Sequence, residues 1–223
     1  MFSRLAPRYD LLNRLLSAGI DQRWRRAAVA EMSPAFGGRH LDIATGTADM
    51  ALEIVRQKGK QLLVAGTDIS VEMMRIGQNK CAKAGAGDRV FFVRAPGESL
   101  PFRDAAFDSA CIGFGIRNLE DRNLGLYEMC RVVRPGGHVV VLEFSTPQGR
   151  FLSSFHHFYL TRILPRIGGM ISSRPDAYKY LSESIPSFPE PAEFKRMMLA
   201  AGCSHVTIRP LTFGIVTLYV GRR

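Results

Sequence analysis

Negative charge is scarce in this chain: 20 aspartates and glutamates face 30 lysines and arginines over 223 residues, a net charge of +10. Cysteine is sparse too. The four (Cys81, Cys111, Cys130 and Cys203) are widely scattered, with no CxxC pair. That spacing argues against a clustered metal or redox motif and predicts reduced thiols in a cytoplasmic protein. No metal site is expected. No run approaches the 18 uninterrupted apolar residues of a membrane-spanning helix. The opening MFSRLAPRYD lacks the apolar stretch and small-residue cleavage site of a secretory signal. Internal repeats and low-complexity segments are absent. The GxGxxG fingerprint that presses backbone against a pyrophosphate is missing as well, which argues against a dinucleotide cofactor.

What is present starts at RHLDIATGTAD (39–49), where a short apolar run ends in a small-residue turn and Asp49 opens a helix. A second apolar run, LLVAGTD (62–68), ends in another carboxylate. The pair reads as the cofactor half of a nucleotide-type βαβ unit. Only Gly46 of the first turn is glycine, among Ala44, Thr45, Thr47 and Ala48. A cofactor without phosphates makes no demand for more, and S-adenosyl-L-methionine is such a cofactor.

From 39 to 145, apolar strand-like runs alternate with helical ones. Strands are expected at 41–44, 62–68, 90–95, 107–115 and 138–145, with helices from Asp49, from Ser70 as N-cap, and over 122–133. Arg134-Pro-Gly-Gly137 reads as a turn. A helix over 191–202 and two further strand-like runs, HVTIRPL and TFGIVTLYV, close the chain. Such alternation predicts an α/β fold with a doubly wound, mostly parallel sheet of seven strands, in which ligands bind beyond the carboxyl ends of the strands. One domain is expected: an N-terminal helical cap (1–36), a cofactor-binding core (37–145), a helical substrate-covering insert (146–190), and a C-terminal helix with strands (191–223).

The candidate residues cluster at those strand ends. Gly46 and Thr47 let the chain turn tightly beside a ligand, although an ordinary strand-to-helix turn has the same composition. Asp68, ending the second strand, can accept from both hydroxyls of a ribose. The loop APGESLPF (95–102) is placed to meet an adenine edge through backbone near Pro96, Gly97 and Glu98. After the fourth strand, GFGIRN sets Phe114, Arg117 and Asn118 at the rim. A guanidinium cannot act as a base, but Arg117 can stabilise a developing phenolate and Asn118 can hydrogen-bond ring oxygens. A structural salt bridge is the competing role for Arg117.

The segments YDLLNRLLSAGIDQRW (9–24) and RVVRPGGHVVVLEFS (131–145) resemble the two signatures of the ubiquinone/menaquinone biosynthesis C-methyltransferases. LDIATGTAD, GTDIS, SLPF, FGIRN and YLSESI (180–185) keep that family's order. The resemblance covers essentially the whole chain. It implies the Rossmann-like fold of class I S-adenosylmethionine-dependent methyltransferases and methyl transfer to carbon on a prenylated quinol. It also implies cofactor contacts from Thr47, Asp68 and the backbone at Pro96 and Gly97. Gly113 stands where the family often has Ser. With the strand-end reading, the expected cofactor set is Asp42, Gly46, Thr47, Asp68, Pro96, Gly97 and Gly113.

There are departures. The family's common Gly-Gly-Thr-Gly-Asp turn is Thr45-Gly46-Thr47-Ala48-Asp49 here, which resembles menaquinone-only members. Asp21 and Leu12 replace the usual His and Met of the first signature, and Pro96 replaces a usual Asn or Asp. A demethylmenaquinol substrate is expected, with a ubiquinone-pathway benzoquinol as the alternative.

Carbon methylation of a quinol needs proximity, a means of favouring phenolate, and a weak base. Arg117, Asn118 and Tyr9 are the leading catalytic candidates, ahead of His157, Tyr178 and Tyr180 in the insert. Phe151, Phe155, Phe158 and Ile163 follow helical spacing with Arg150, Arg162 and Arg166 between them. That composition suits transient contact with an anionic membrane surface, and equally core coverage or a homodimer contact. Nucleic acid is not an expected partner. The motifs of base-methylating enzymes are absent, although the charge alone would admit such an enzyme. A non-catalytic scaffold of a quinone-biosynthesis complex is the rival from outside catalysis.

Overall fold

The computed structural model describes residue 17 and residues 19–32, 38–59, 61–147 and 184–223. The described chain forms helix α1 (Asp21–Ala30), strand β1 (Arg39–Ile43), α2 (Asp49–Lys58), β2 (Leu63–Asp68), α3 (Val71–Lys83), β3 (Val90–Arg94) and β4 (Phe107–Gly113). A 3₁₀ turn (Ile116–Asn118) leads to α4 (Arg122–Val132), β5 (Val133–Phe144), α5 (Pro191–Ala200), β6 (His205–Leu211), a second 3₁₀ turn (Thr212–Gly214) and β7 (Val216–Arg222).

The seven strands make one sheet in the order β3-β2-β1-β4-β5-β7-β6. All pairs are parallel except β5·β7 and β6·β7, so the sheet is mostly parallel and doubly wound, as the alternation predicts. Strand order reverses between β1 and β4, and that crevice is where ligands bind in open sheets.

Both faces of the sheet are covered, which explains why its central strands read as continuous apolar runs. Along β5, Val140 and Leu142 pack with Trp24, Val29, Met50 and Ile54 from α1 and α2. Val139 and Val141 point the other way, onto Leu126 and Met129 of α4 and Phe194 and Met198 of α5. Ser70 caps α3 as expected, its hydroxyl accepting from the Met73 N–H at 3.3 Å, and Asp121 caps α4 by accepting from Leu124 N–H at 3.0 Å. Each cap satisfies a helix-end amide and contributes about 1 kcal/mol.

Two boundaries differ from expectation. Arg134–Gly137 does not end a helix and start a strand afresh. The register jumps from Phe107↔Val133 to Ser109↔His138, so these residues bulge within β5, with Gly136 at φ +77°. Thr212–Gly214 forms a turn instead of opening a strand, and β7 starts at Val216. The expected cap and insert helices lie largely outside the described residues; α1 alone represents the N-terminal segment.

Candidate active site

The turn after β1 is built by its own side chains. Ala44, Gly46 and Ala48 all have left-handed backbone, at φ +51°, +54° and +67°. Two of the three are alanines, each held in a conformation that costs of order 1 kcal/mol outside glycine. Asp42 supplies the brace: its Oδ2 accepts from Thr45 Oγ1 at 2.6 Å and from the Ala51 N–H of α2 at 3.1 Å. Thr45 N–H in turn bonds the Thr67 carbonyl at 2.9 Å, pinning the turn to β2.

Asp42 was expected to touch the cofactor. It is 1% exposed and faces the turn's own donors, so it supports the turn from behind. It also satisfies the Ala51 amide in the first turn of α2. Burial pushes its carboxyl up to about 7, against the hydrogen bond from Thr45 and the nearby Arg25 charge. Thr47 is buried as well, its hydroxyl accepting from Lys80 Nζ at 3.3 Å, while Lys80 pairs with Asp49.

Asp68 closes the other side of the turn. Its Oδ2 accepts from Gly46 N–H at 2.9 Å and its Oδ1 from Ser70 N–H at 2.8 Å. Each oxygen keeps a further lone pair, so the half-buried carboxylate can still accept from two hydroxyls. Beyond β3, Gly97 is buried beneath the exposed Pro96. A Cβ on Gly97 would meet Leu119 Cδ2 at 2.9 Å and Ile43 Cγ2 at 3.2 Å, so any larger residue needs those side chains to shift where this loop lies against the end of β1. At the end of β4, a Cβ on Gly113 would stand 2.8 Å from Met50 Cε and 3.7 Å from Arg25 Nη1. A serine there needs Met50 to move.

Arg117 differs most from expectation. It is 8% exposed, and Nη1 pairs with Oε1 of Glu143, which is wholly buried on β5. Nη1 also donates to the Phe114 carbonyl at 3.1 Å, and the Arg117 N–H reaches Glu143 Oε2 at 3.3 Å. Of the two roles open to Arg117 in the sequence, the geometry provides the buried salt bridge. Glu143 offsets the charge that a phenolate would use, and its pairing with the rim turn across β4 and β5 had no signal in the chain. Asn118, next to it, is exposed on the rim. Tyr9, His157, Tyr178 and Tyr180 lie outside the described residues.

Sequence reading also missed an aromatic wall. Phe114, itself left-handed at φ +59°, packs tilted at 36° against Phe144 with centroids 4.6 Å apart, and Trp24 of α1 lies 6.1 and 6.2 Å from the two rings. Arg25 sits 5.3 Å over Phe114, and Arg117 5.4 Å over Phe144. Trp24 Nε1 donates to Thr212 Oγ1 at 2.7 Å, which ties α1 to the turn before β7 at the same edge of the sheet.

These residues fit S-adenosylmethionine. The edge offers a turn with backbone free of side chain at Gly46, a carboxylate with acceptor capacity at Asp68, and a glycine-bedded loop at Gly97. Three solved folds place this in context. A Thermotoga maritima S-adenosylmethionine-dependent methyltransferase superposes with a TM-score of 0.68 at 19% identity, covering 99% of this chain and 97% of that one. A Methanococcus maripaludis S-adenosylmethionine-dependent methyltransferase gives 0.69 at 18%, covering 99% and 93%. One from Aquifex aeolicus gives 0.64 at 15%, covering 88% of each. At such identities the likeness concerns the fold alone. Sequence relatives are nearer. A Geobacter sulfurreducens ubiquinone/menaquinone biosynthesis C-methyltransferase is 49% identical over all of this chain and 87% of its own length. Demethylmenaquinone methyltransferases of Thermus thermophilus and Deinococcus radiodurans are 45% and 43% identical, over 100% and 99% of this chain and 100% and 90% of their own lengths. The ubiE/COQ5 methyltransferase family matches residues 1–223 from end to end. The chain belongs to that family, and it is an S-adenosylmethionine-dependent methyltransferase.

Proposed function

We propose that this protein methylates a ring carbon of demethylmenaquinol to give menaquinol. The observation that carries the reading is the cluster of Phe114, Phe144 and Trp24 at the carboxyl ends of β4 and β5, largely buried rings tilted against one another that give the cofactor edge an apolar, aromatic side for a quinol ring. The Thermus thermophilus relative, matched over the full length of both chains, bears the name demethylmenaquinone methyltransferase, which supports the naphthoquinol choice. The Thr47-Ala48-Asp49 turn points the same way. A 2-methoxy-6-polyprenyl-1,4-benzoquinol is the second reading, favoured by the ubiquinone/menaquinone name of the Geobacter sulfurreducens relative.

Bound at this edge, S-adenosylmethionine supplies an electrophilic methyl group. Asp68 accepts from the ribose, backbone at Pro96 and Gly97 meets the adenine edge, Gly46 leaves backbone open to the ligand, and Thr47 and Gly113 complete the cofactor set. Ile69, 66% exposed beside Asp68, offers apolar cover to a purine face. Asn118 hydrogen-bonds a ring oxygen, and Tyr9 is the other catalytic candidate of this reading. Arg117 acts through position: clamped by Glu143, it fixes the turn that carries Asn118.

A prenylated substrate is held in lipid, so transient contact with an anionic membrane surface belongs to the reading. Exposed Arg23, Arg26 and Arg56, lining a groove between α1 and α2 around Glu53, support it. Among the described residues no helix is long and apolar enough to cross a membrane.

The test is direct: purified protein is given S-adenosylmethionine with demethylmenaquinol or with the benzoquinol precursor. Turnover on the naphthoquinol at least tenfold above the benzoquinol is expected. Preference for the benzoquinol would overturn the menaquinone assignment.

A further inference from the structure

Arg25 of α1 is a cation placed at the cofactor edge with no role in the reading above. Its side chain is 12% exposed. Its Nε carries no hydrogen bond, and the nearest carboxylate oxygen, Asp21 Oδ2, stands 3.6 Å away. Asp21 is itself held by the Ser17 hydroxyl at 2.8 Å. The guanidinium is thus kept out of water by a loose ion pair and by the Phe114 ring beneath it. Arg117, the neighbouring guanidinium, also has an unpartnered Nε, but its Nη1 is held by Glu143 and the Phe114 carbonyl, so its charge is already neutralised at close range.

The direction in which Arg25 points decides its use. Nη1 lies 3.7 Å from the place a Cβ on Gly113 would occupy, at the carboxyl end of β4. Its charge is also felt by the buried Asp42 carboxyl on β1. The sheet order runs β3-β2-β1-β4, and Asp68 marks the ribose side at β2. The end of the cofactor away from adenine therefore lies toward β1 and β4, where Arg25 stands. That end carries a carboxylate. A planar guanidinium matches a carboxylate with two parallel hydrogen bonds, and partial burial strengthens the pair.

The geometry points to Arg25 as the residue that binds the carboxylate of the methionyl group. Asp21 keeps the arginine aimed along α1 until the ligand arrives, and the Phe114 face limits its rotamers. The inference rests on S-adenosylmethionine as cofactor and is independent of which quinol is methylated.

Calorimetry with the full chain tests it, using S-adenosylhomocysteine and its decarboxylated analogue as ligands. Wild type should bind the decarboxylated analogue roughly 10- to 100-fold more weakly, the worth of hydrogen bonds to a charged group. Arg25→Gln should lose about the same factor for S-adenosylhomocysteine and almost nothing for the analogue, with an unchanged thermal melt. Arg25→Lys should recover part of the loss. Equal binding of both ligands by wild type overturns the assignment without any variant. An equal loss for both ligands in Arg25→Gln overturns it as well, because the arginine then only supports the fold. Failure of wild type to bind either ligand would instead remove the cofactor assignment.

Discussion

Arg117 and Glu143 form a buried ion pair that fastens the turn after β4 to the last strand of the parallel set. The pair places two charges inside the protein, and their mutual neutralisation makes that tolerable. Removing one partner strands the other.

Arg117→Ala should therefore destabilise the fold by about 3–5 kcal/mol, because Glu143 is left buried and unpaired. Replacing both, as Arg117→Met with Glu143→Leu, should restore much of the stability. Urea unfolding measures this directly. Should the double variant fold well and keep near-normal turnover, Arg117 has no charge role in catalysis. A folded double variant slowed 100-fold or more would return the phenolate-stabilising role to it.

Asp68→Ala should weaken binding of S-adenosylhomocysteine by about 1.5–3 kcal/mol, since acceptors to the ribose are lost. The turn also loses its tether from Gly46 N–H, so a modest fall in melting temperature accompanies it. Asp68→Asn keeps one acceptor oxygen and should fall between the two. Unchanged affinity in a folded Asp68→Ala protein would move the ribose contact elsewhere.

Burial acts on Asp42 and His40 in opposite senses. It pushes the Asp42 carboxyl up from 3.8 to about 7, and the His40 imidazole down from 6.5 to about 4. Between about pH 4 and 6.5, folded Asp42 holds a proton that the unfolded chain has released, so its contribution to stability falls as pH rises. Over the same window the unfolded chain protonates His40 while the folded ring stays neutral, so that contribution rises. The two oppose each other. Asp42→Asn removes the falling part, and the variant's stability should climb with pH from 4 to 6.5 relative to wild type. One proton sets a limit of about 1.4 kcal/mol per pH unit. Denaturant unfolding at three pH values checks it, and parallel profiles for the two proteins would mean that Asp42 is ionised in the fold.

If the basic groove docks on membranes, sedimentation with phosphatidylglycerol vesicles should show binding that weakens with salt, since exposed charges are screened within ~8 Å at physiological ionic strength. Arg23→Gln, Arg26→Gln and Arg56→Gln together should weaken it further. Equal binding by wild type and the triple variant at low salt would place the docking face elsewhere.

Local chemistry explains what was readable in the chain. Each strand of the parallel set is an apolar run because helices cover both faces, and Ser70 marks the start of α3, whereas α1, α2 and α5 begin without a side-chain cap. The carboxylate at the end of β2 and the glycine-poor turn of 44–48 follow directly from one short stretch of sequence. One of the two alanines at left-handed φ, Ala48, stands where the turn of the resembled family has glycine.

Other features needed the chain to be folded. Nothing in residue 143 announces that it neutralises residue 117, because the partners are 26 positions apart and meet only when β5 pairs with β4. The inward turn of Asp42 depends on the α2 amide above it and Thr45 beside it. The aromatic wall gathers Trp24, Phe114 and Phe144 from three separate segments, and Arg25 reaches the cofactor edge only because α1 packs across the ends of the strands. Sequence alone determined the fold class and the family, because periodicity and short motifs are local. Tertiary structure decided which charges are free to meet a ligand, because burial and pairing are set by neighbours distant in the chain.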